Sequence, residues 1–190
     1  SASWVSERSD DILYVSAPGT TNSIYQMNVY AAPLDHQRLT SPRFSSYAPN
    51  ISPHTHEMIF VSIRDGQYDL YAINLDSGEE RQITDDGFID SAPVWSPDGT
   101  HFAYQSYRAT GSSIIVVDAN GDNTRQLISE RGRHYGISWS PDGRYIAFTS
   151  NRDGNDEIYV VDVDNPTDLH RLTHHPGTDR NPVWSPDGRY

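Results

Sequence analysis

The sequence predicts an all-β fold, a β-propeller of four-stranded antiparallel blades, with four repeats of about 44 residues and the start of a fifth. Three observations carry this. The phrase Trp-Ser-Pro-Asp-Gly recurs from Trp95, Trp139 and Trp184, at spacings of 44 and 45 residues. Each of the first two copies runs into a stretch that alternates with period two and is rich in β-branched and aromatic residues, as at 145–150. No stretch keeps a helical period, and turn formers are too dense for helical repeats.

Within one repeat the elements follow in order. Ser-Pro-Asp-Gly suits a type I turn, with Pro where its fixed φ fits, and joins a first strand to a second. The second strand carries Tyr14, Phe60, Tyr104 and Phe148, each followed two positions later by Ser16, Ser62, Ser106 and Ser150. A further turn, Asp65-Gly66 or Asp153-Gly154, leads to a third strand marked by Ile24-Tyr25, Leu70-Tyr71, Ile114-Ile115 and Ile158-Tyr159. The fourth ends in Leu39-Thr40, Ile83-Thr84, Leu127-Ile128 and Leu172-Thr173. Blades are expected over 1–46, 47–90, 91–134 and 135–179, with 180–190 as the first strand of a further blade, in a single propeller domain or a fragment of one. The copy at Ile51 keeps Ser-Pro but has lost Trp and Asp-Gly. The third copy of the phrase stops at Tyr190, which suggests a partial propeller whose open edge strands favour self-association.

The phrases "PVWSPDG", "IAFTSNRDGNDEIYVVD" and "RLT" resemble the WD40-like repeat of TolB-type β-propellers, a repeat also found in propellers of prolyl-oligopeptidase and tricorn-type peptidases. The resemblance spans nearly the whole chain and is strongest over 91–190. It implies a non-enzymatic scaffold that binds a protein or peptide, in a periplasmic or extracellular setting. The alternative it implies is a substrate-gating propeller of a serine peptidase whose catalytic domain lies outside this chain. A lectin-like site is a third option.

Composition narrows the partners. A net charge of −12 opposes a sequence-independent grip on nucleic acid, which needs clustered Lys and Arg. No apolar run approaches 18 residues, so no membrane insertion is expected. The absence of cysteine removes disulfides and thiolate metal sites.

Candidate chemistry is sparse, and neither a catalytic residue, a metal site nor a cofactor is expected. "GISWS" at 136–140 is the nearest string to a nucleophile elbow, but Ser140 replaces its second Gly and falls in the repeated turn. Residues 118–129 approach a calcium loop, with Asn123 where Gly should be and Ser129 where Glu should be. His54 and His56, or His174 and His175, lack a third ligand at metal-site spacing. Arg64, Arg108 and Arg152 recur at one place in the repeat and are expected to bridge turns.

Residues that repeat build the blade, and function belongs where the repeats differ. The connections from each fourth strand to the next first strand should open at a channel mouth, and they differ widely. They carry Arg43, Phe44, Phe88, Asp90, Arg131, Arg133, His134, Asp179 and Arg180. Phe88, Asp90, Arg131, Arg133, His134, Asp179 and Arg180 are the candidate partner-binding residues. Their mixed charge and aromatic character suits peptide recognition more than a defined reaction.

Overall fold

The computed structural model describes residues 2–4, of which only the backbone path is given, 11–30, 36–129 and 131–189. The first turn of the first repeat, at 5–10, and Tyr190 lie outside the described residues. Every regular element among the described residues is a strand: β1 (Ala2–Trp4), β2 (Asp11–Ser16), β3 (Ser23–Asn28), β4 (His36–Arg38), β5 (Ser45–Ile51), β6 (Glu57–Arg64), β7 (Gln67–Asn74), β8 (Glu80–Gln82), β9 (Ile89–Trp95), β10 (His101–Arg108), β11 (Gly111–Asp118), β12 (Arg125–Ile128), β13 (His134–Trp139), β14 (Tyr145–Ser150), β15 (Glu157–Asp162) and β16 (Leu169–Arg171). They form four four-stranded antiparallel meanders, β1–β4, β5–β8, β9–β12 and β13–β16, as expected of propeller blades. The chain divides into two compact units, Ser1–Pro93 and Val94–Tyr190.

The repeated turn does what its residues allow. The Gly99, Gly143 and Gly188 N–H groups donate to the carbonyls of Ser96, Ser140 and Ser185 at 2.9–3.0 Å. In each turn the Ser hydroxyl donates to the Asp two residues on, at 2.6, 2.5 and 2.7 Å. These serine hydroxyls hold the Asp142 and Asp187 carboxyls below the usual carboxylate range. Ser140 is therefore a buried turn residue, tied to Asp142 and to the Tyr145 N–H.

A second repeated device lies in the inner strand. Ala48, Ala92, Gly136 and Asn181 occupy the same place in successive repeats, and all have positive φ, between 47° and 67°. The strand register slips there, between Tyr47 and Asn50 and between Tyr135 and Ser138, as at a β-bulge. Asn181 shows that the fifth repeat opens in the same conformation, although 180–184 forms no strand. Trp184 there stacks on Tyr145 and donates its ring N–H to the Ser138 carbonyl at 3.2 Å.

The Leu-Thr ending of the repeat also has a physical reason. Thr40, Thr84 and Thr173 Oγ1 accept the backbone N–H of Ile24, Leu70 and Ile158 at 2.9–3.0 Å, completing the third strand where the fourth leaves it. The third repeat has Ile128 in place of Thr, and there the fourth strand runs on so that Ile128 pairs with Ile114.

Each unit has its own core. Leu13, Ile24, Met58, Phe60, Tyr71 and Ile73 pack together in the first. In the second, Ile114, Val116, Trp139, Ile146, Phe148 and Val161 do so, and the Trp139 ring N–H donates to the Val94 carbonyl at 3.1 Å. Trp95 is buried edge-on against Phe102, at a centroid distance of 5.3 Å.

Candidate functional site

The connections that join one sheet to the next emerge at the same strand ends as the turns between second and third strands, because antiparallel strands alternate in direction. In the second unit these are 129–133 and 172–180, with the β14–β15 turn at 151–156. The first is pressed onto the β10–β11 turn by a close backbone approach. Gly111 and Gly132 form a bridge there, and a Cβ on Gly111 would collide with the Gly132 carbonyl.

The polar centre of this edge is Asp156, which the sequence analysis did not select. It stands immediately before β15, its side chain only 3% exposed. Arg180 reaches Oδ2 through both Nε and Nη2 at 2.7 Å, and the Tyr135 hydroxyl donates to the same oxygen at 3.0 Å. Arg133 Nη2 lies 3.8 Å from Oδ1. The Asp156 carbonyl accepts the Asp179 N–H at 2.8 Å, while Asp179 pairs with His175 at 3.1 Å. Asn155 ties down the carbonyls of His175 and Gly177, so the whole connection is anchored on the β14–β15 turn. Burial, and then the bond to Asp156, pushes the Tyr135 phenol above its usual range, so it stays a neutral donor.

Arg133 and Arg180 remain 63% and 51% exposed. A buried carboxylate thus holds the Arg180 guanidinium by hydrogen bonds and has Arg133 beside it at 3.8 Å, and both arginines stay open to solvent. Such a pair of neighbouring guanidinium groups suits recognition of carbonyl and carboxylate oxygens. The signal for Asp156 was present in the sequence. Its place in the repeat is held by Asn22, Tyr68 and Ser112 elsewhere, so the position varies from repeat to repeat.

Of the selected residues, Arg133, Asp179 and Arg180 come together at Asp156. Arg131 is exposed on the same connection. His134 is fully buried at the start of β13, with Nδ1 2.9 Å from Ser150 Oγ and its ring edge-on to Phe148, so it supports the connection from beneath. This Ser–His pair has no access for a substrate, since Ser150 is also fully buried. In the first unit Asp90 is buried in β9, whereas Phe88 is half-buried and neighbouring Ile89 exposed.

The recurring arginines differ from the expectation that they bridge turns. Arg64 and Arg152 stack on the third-strand rings of their own sheets, Tyr71 at 3.6 Å and Tyr159 at 4.9 Å, and bond Ser62 and Ser150. Ile115 stands in the place of those rings in the third sheet. Arg64 also covers Phe44 at 4.7 Å, which ties that loop residue to the blade. The near-calcium loop at 118–123 is a turn closed by its own side chains, with the Asn123 amide on Asp118 at 2.6 Å.

The model of the TolB beta propeller domain matches residues 1–138 and 93–190. Among solved structures, TolB from Acinetobacter baumannii superposes with a TM-score of 0.79 at 24% identity, over 97% of this chain and 45% of that one. A putative TolB from Agrobacterium tumefaciens gives 0.80 at 22%, over 94% and 68%. An oligogalacturonate lyase in complex with manganese gives 0.74 at 17%, over 94% and 53%. The chain thus spans less than half the length of the Acinetobacter protein, and these identities speak for the fold alone. Comparison with curated protein sequences gave no match.

Proposed function

The chain belongs to the TolB β-propeller domain family, and from that premise we propose that it is a non-enzymatic binding module which captures an extended peptide or protein segment through the connections between its blades. The observation that carries this reading is the Asp156 cluster. Its two half-exposed arginines lie beside a buried acid, which bonds Arg180, on connections that vary from repeat to repeat. The cluster's groups are committed to one another: Tyr135 to Asp156, His175 to Asp179, Arg180 to Asp156. That arrangement favours a fixed recognition surface over proton transfer. Structural neighbours that include a lyase and prolyl endopeptidases make the test a necessary one.

The test is a selection of random peptides displayed on phage against the wild-type chain, followed by titration of a selected peptide into wild type and into the Arg133→Ala/Arg180→Ala variant. Charge-assisted contacts of this kind contribute about 1.5–3 kcal/mol each, so the double variant should bind at least tenfold more weakly while keeping its circular dichroism spectrum. Equal binding by the two proteins would remove the reading.

A further inference from the structure

The first unit holds a cavity of about 450 Å³ at the opposite strand ends from the connections, beside the turn at 52–56 that joins β5 to β6. The second unit has a counterpart at the same repeat positions, of about 360 Å³. Comparing the two position by position shows why they differ. The counterpart is narrowed by Trp139, whose ring is buried and bonded to the Val94 carbonyl, and by Arg125, whose Nη1 donates to the Val163 carbonyl at 2.6 Å. In the first unit Ile51 stands in the place of Trp139 and Gln37 in the place of Arg125. The turn has changed as well. Asp142, tied to Ser140 in the counterpart, is replaced by His54, and the Ser52 hydroxyl instead accepts the backbone N–H groups of His54 and Thr55.

The result is a concavity with an apolar floor and a polar rim. Ile51, Leu39 and Leu75 form the floor and pack directly on the core of the unit. Gln37, His54, His56 and Asp76 form the rim, with His56 Nδ1 3.0 Å from Asp76 Oδ1. Its volume lies within the range of small-molecule sites, and a flat amphipathic ring satisfies both surfaces at once. We propose that this cavity binds a planar heteroaromatic ligand of the indole class, seated where the repeat elsewhere seats its own tryptophan. The ring face lies on Ile51 and Leu75 and the ring N–H meets an acceptor of the rim, Gln37 or Asp76. The site is independent of the Asp156 cluster, which lies in the other unit.

Indole itself is the probe. Titrated into the full chain, it should give saturable chemical-shift changes at the methyl groups of Ile51 and Leu75, with a Kd of about 1 mM or tighter. Ile51→Trp places the tryptophan of the other repeats in the space proposed for the ligand ring and should weaken binding at least tenfold. Gln37→Arg brings the arginine of the counterpart to the rim on an exposed strand, removes the Gln37 acceptor and should do the same, so the test survives a folding defect in the first variant. Absence of saturable shifts in the wild type, shifts confined to other residues, or binding unchanged in Gln37→Arg would each overturn the assignment.

Discussion

Thr84→Val tests the reason for the Leu-Thr ending most sharply. The substitution keeps shape and volume but removes the hydroxyl that accepts the Leu70 N–H at 2.9 Å and donates to Asp69 at 3.5 Å. Leu70 is fully buried, so its N–H has no water to turn to. A buried donor left without its acceptor costs about 1–3 kcal/mol, and the weak bond to Asp69 adds less than 1 kcal/mol, giving an expected loss of about 2–3 kcal/mol. Urea unfolding at neutral pH measures it as a lower midpoint with unchanged slope. Thr84→Ser keeps the hydroxyl and should lose no more than about 1 kcal/mol, chiefly from the deleted methyl. A loss in Thr84→Val no larger than that in Thr84→Ser would refute the reasoning, because removing the hydroxyl would then cost no more than removing a methyl group.

Three further outcomes follow from the same geometry. Ala48→Gly should stabilise the chain by about 1 kcal/mol in chemical denaturation, because Ala48 sits at a φ of 47° where a Cβ is strained; a destabilised variant would contradict the bulge. Trp139→Ala should cost about 3–5 kcal/mol, from lost burial, the cavity left behind and the lost bond to Val94, and an unchanged melting temperature would contradict the packing. Glu157 is held below the usual carboxylate range by the Thr173 hydroxyl, with Asn155 and Arg171 adding to it. A depressed carboxyl contributes stability that is present above its unfolded pKa and is lost as pH falls through the folded value. Stability measured downward from about pH 5 should therefore fall less steeply in Glu157→Gln than in wild type, and identical slopes would contradict the assignment.

The blade was legible in the sequence because its devices are local. Ser-Pro-Asp-Gly encodes a turn through its own hydroxyl and carboxylate, and the second and third strands declare themselves by alternation and by aromatic residues at fixed places. The fold class and the resemblance to TolB-type propellers both stand. Less legible were effects that depend on neighbours in space. Ala48 and Ala92 give no sequence sign of positive φ, since the strain is imposed by the bulged inner strand. His134 reads as a loop residue beside Arg133, yet strand pairing with Ser150 draws it into the interior. Asp156 was overlooked because it belongs to a turn rather than to a connection, and only the fold brings it under Arg133 and Arg180. The exchange of Trp for Ile51 was visible as a lapse in the repeat. That it enlarges a cavity became visible only beside Trp139.

Hydrogen exchange of the chain, with and without a selected peptide, tests the claim that function resides on the variable connections. The account predicts slowed exchange confined to amides of 129–135 and 173–181, around the Asp156 cluster, with the repeated turns at 96–100 and 140–144 unchanged. Protection of those turns, with the connections unaffected, would contradict it.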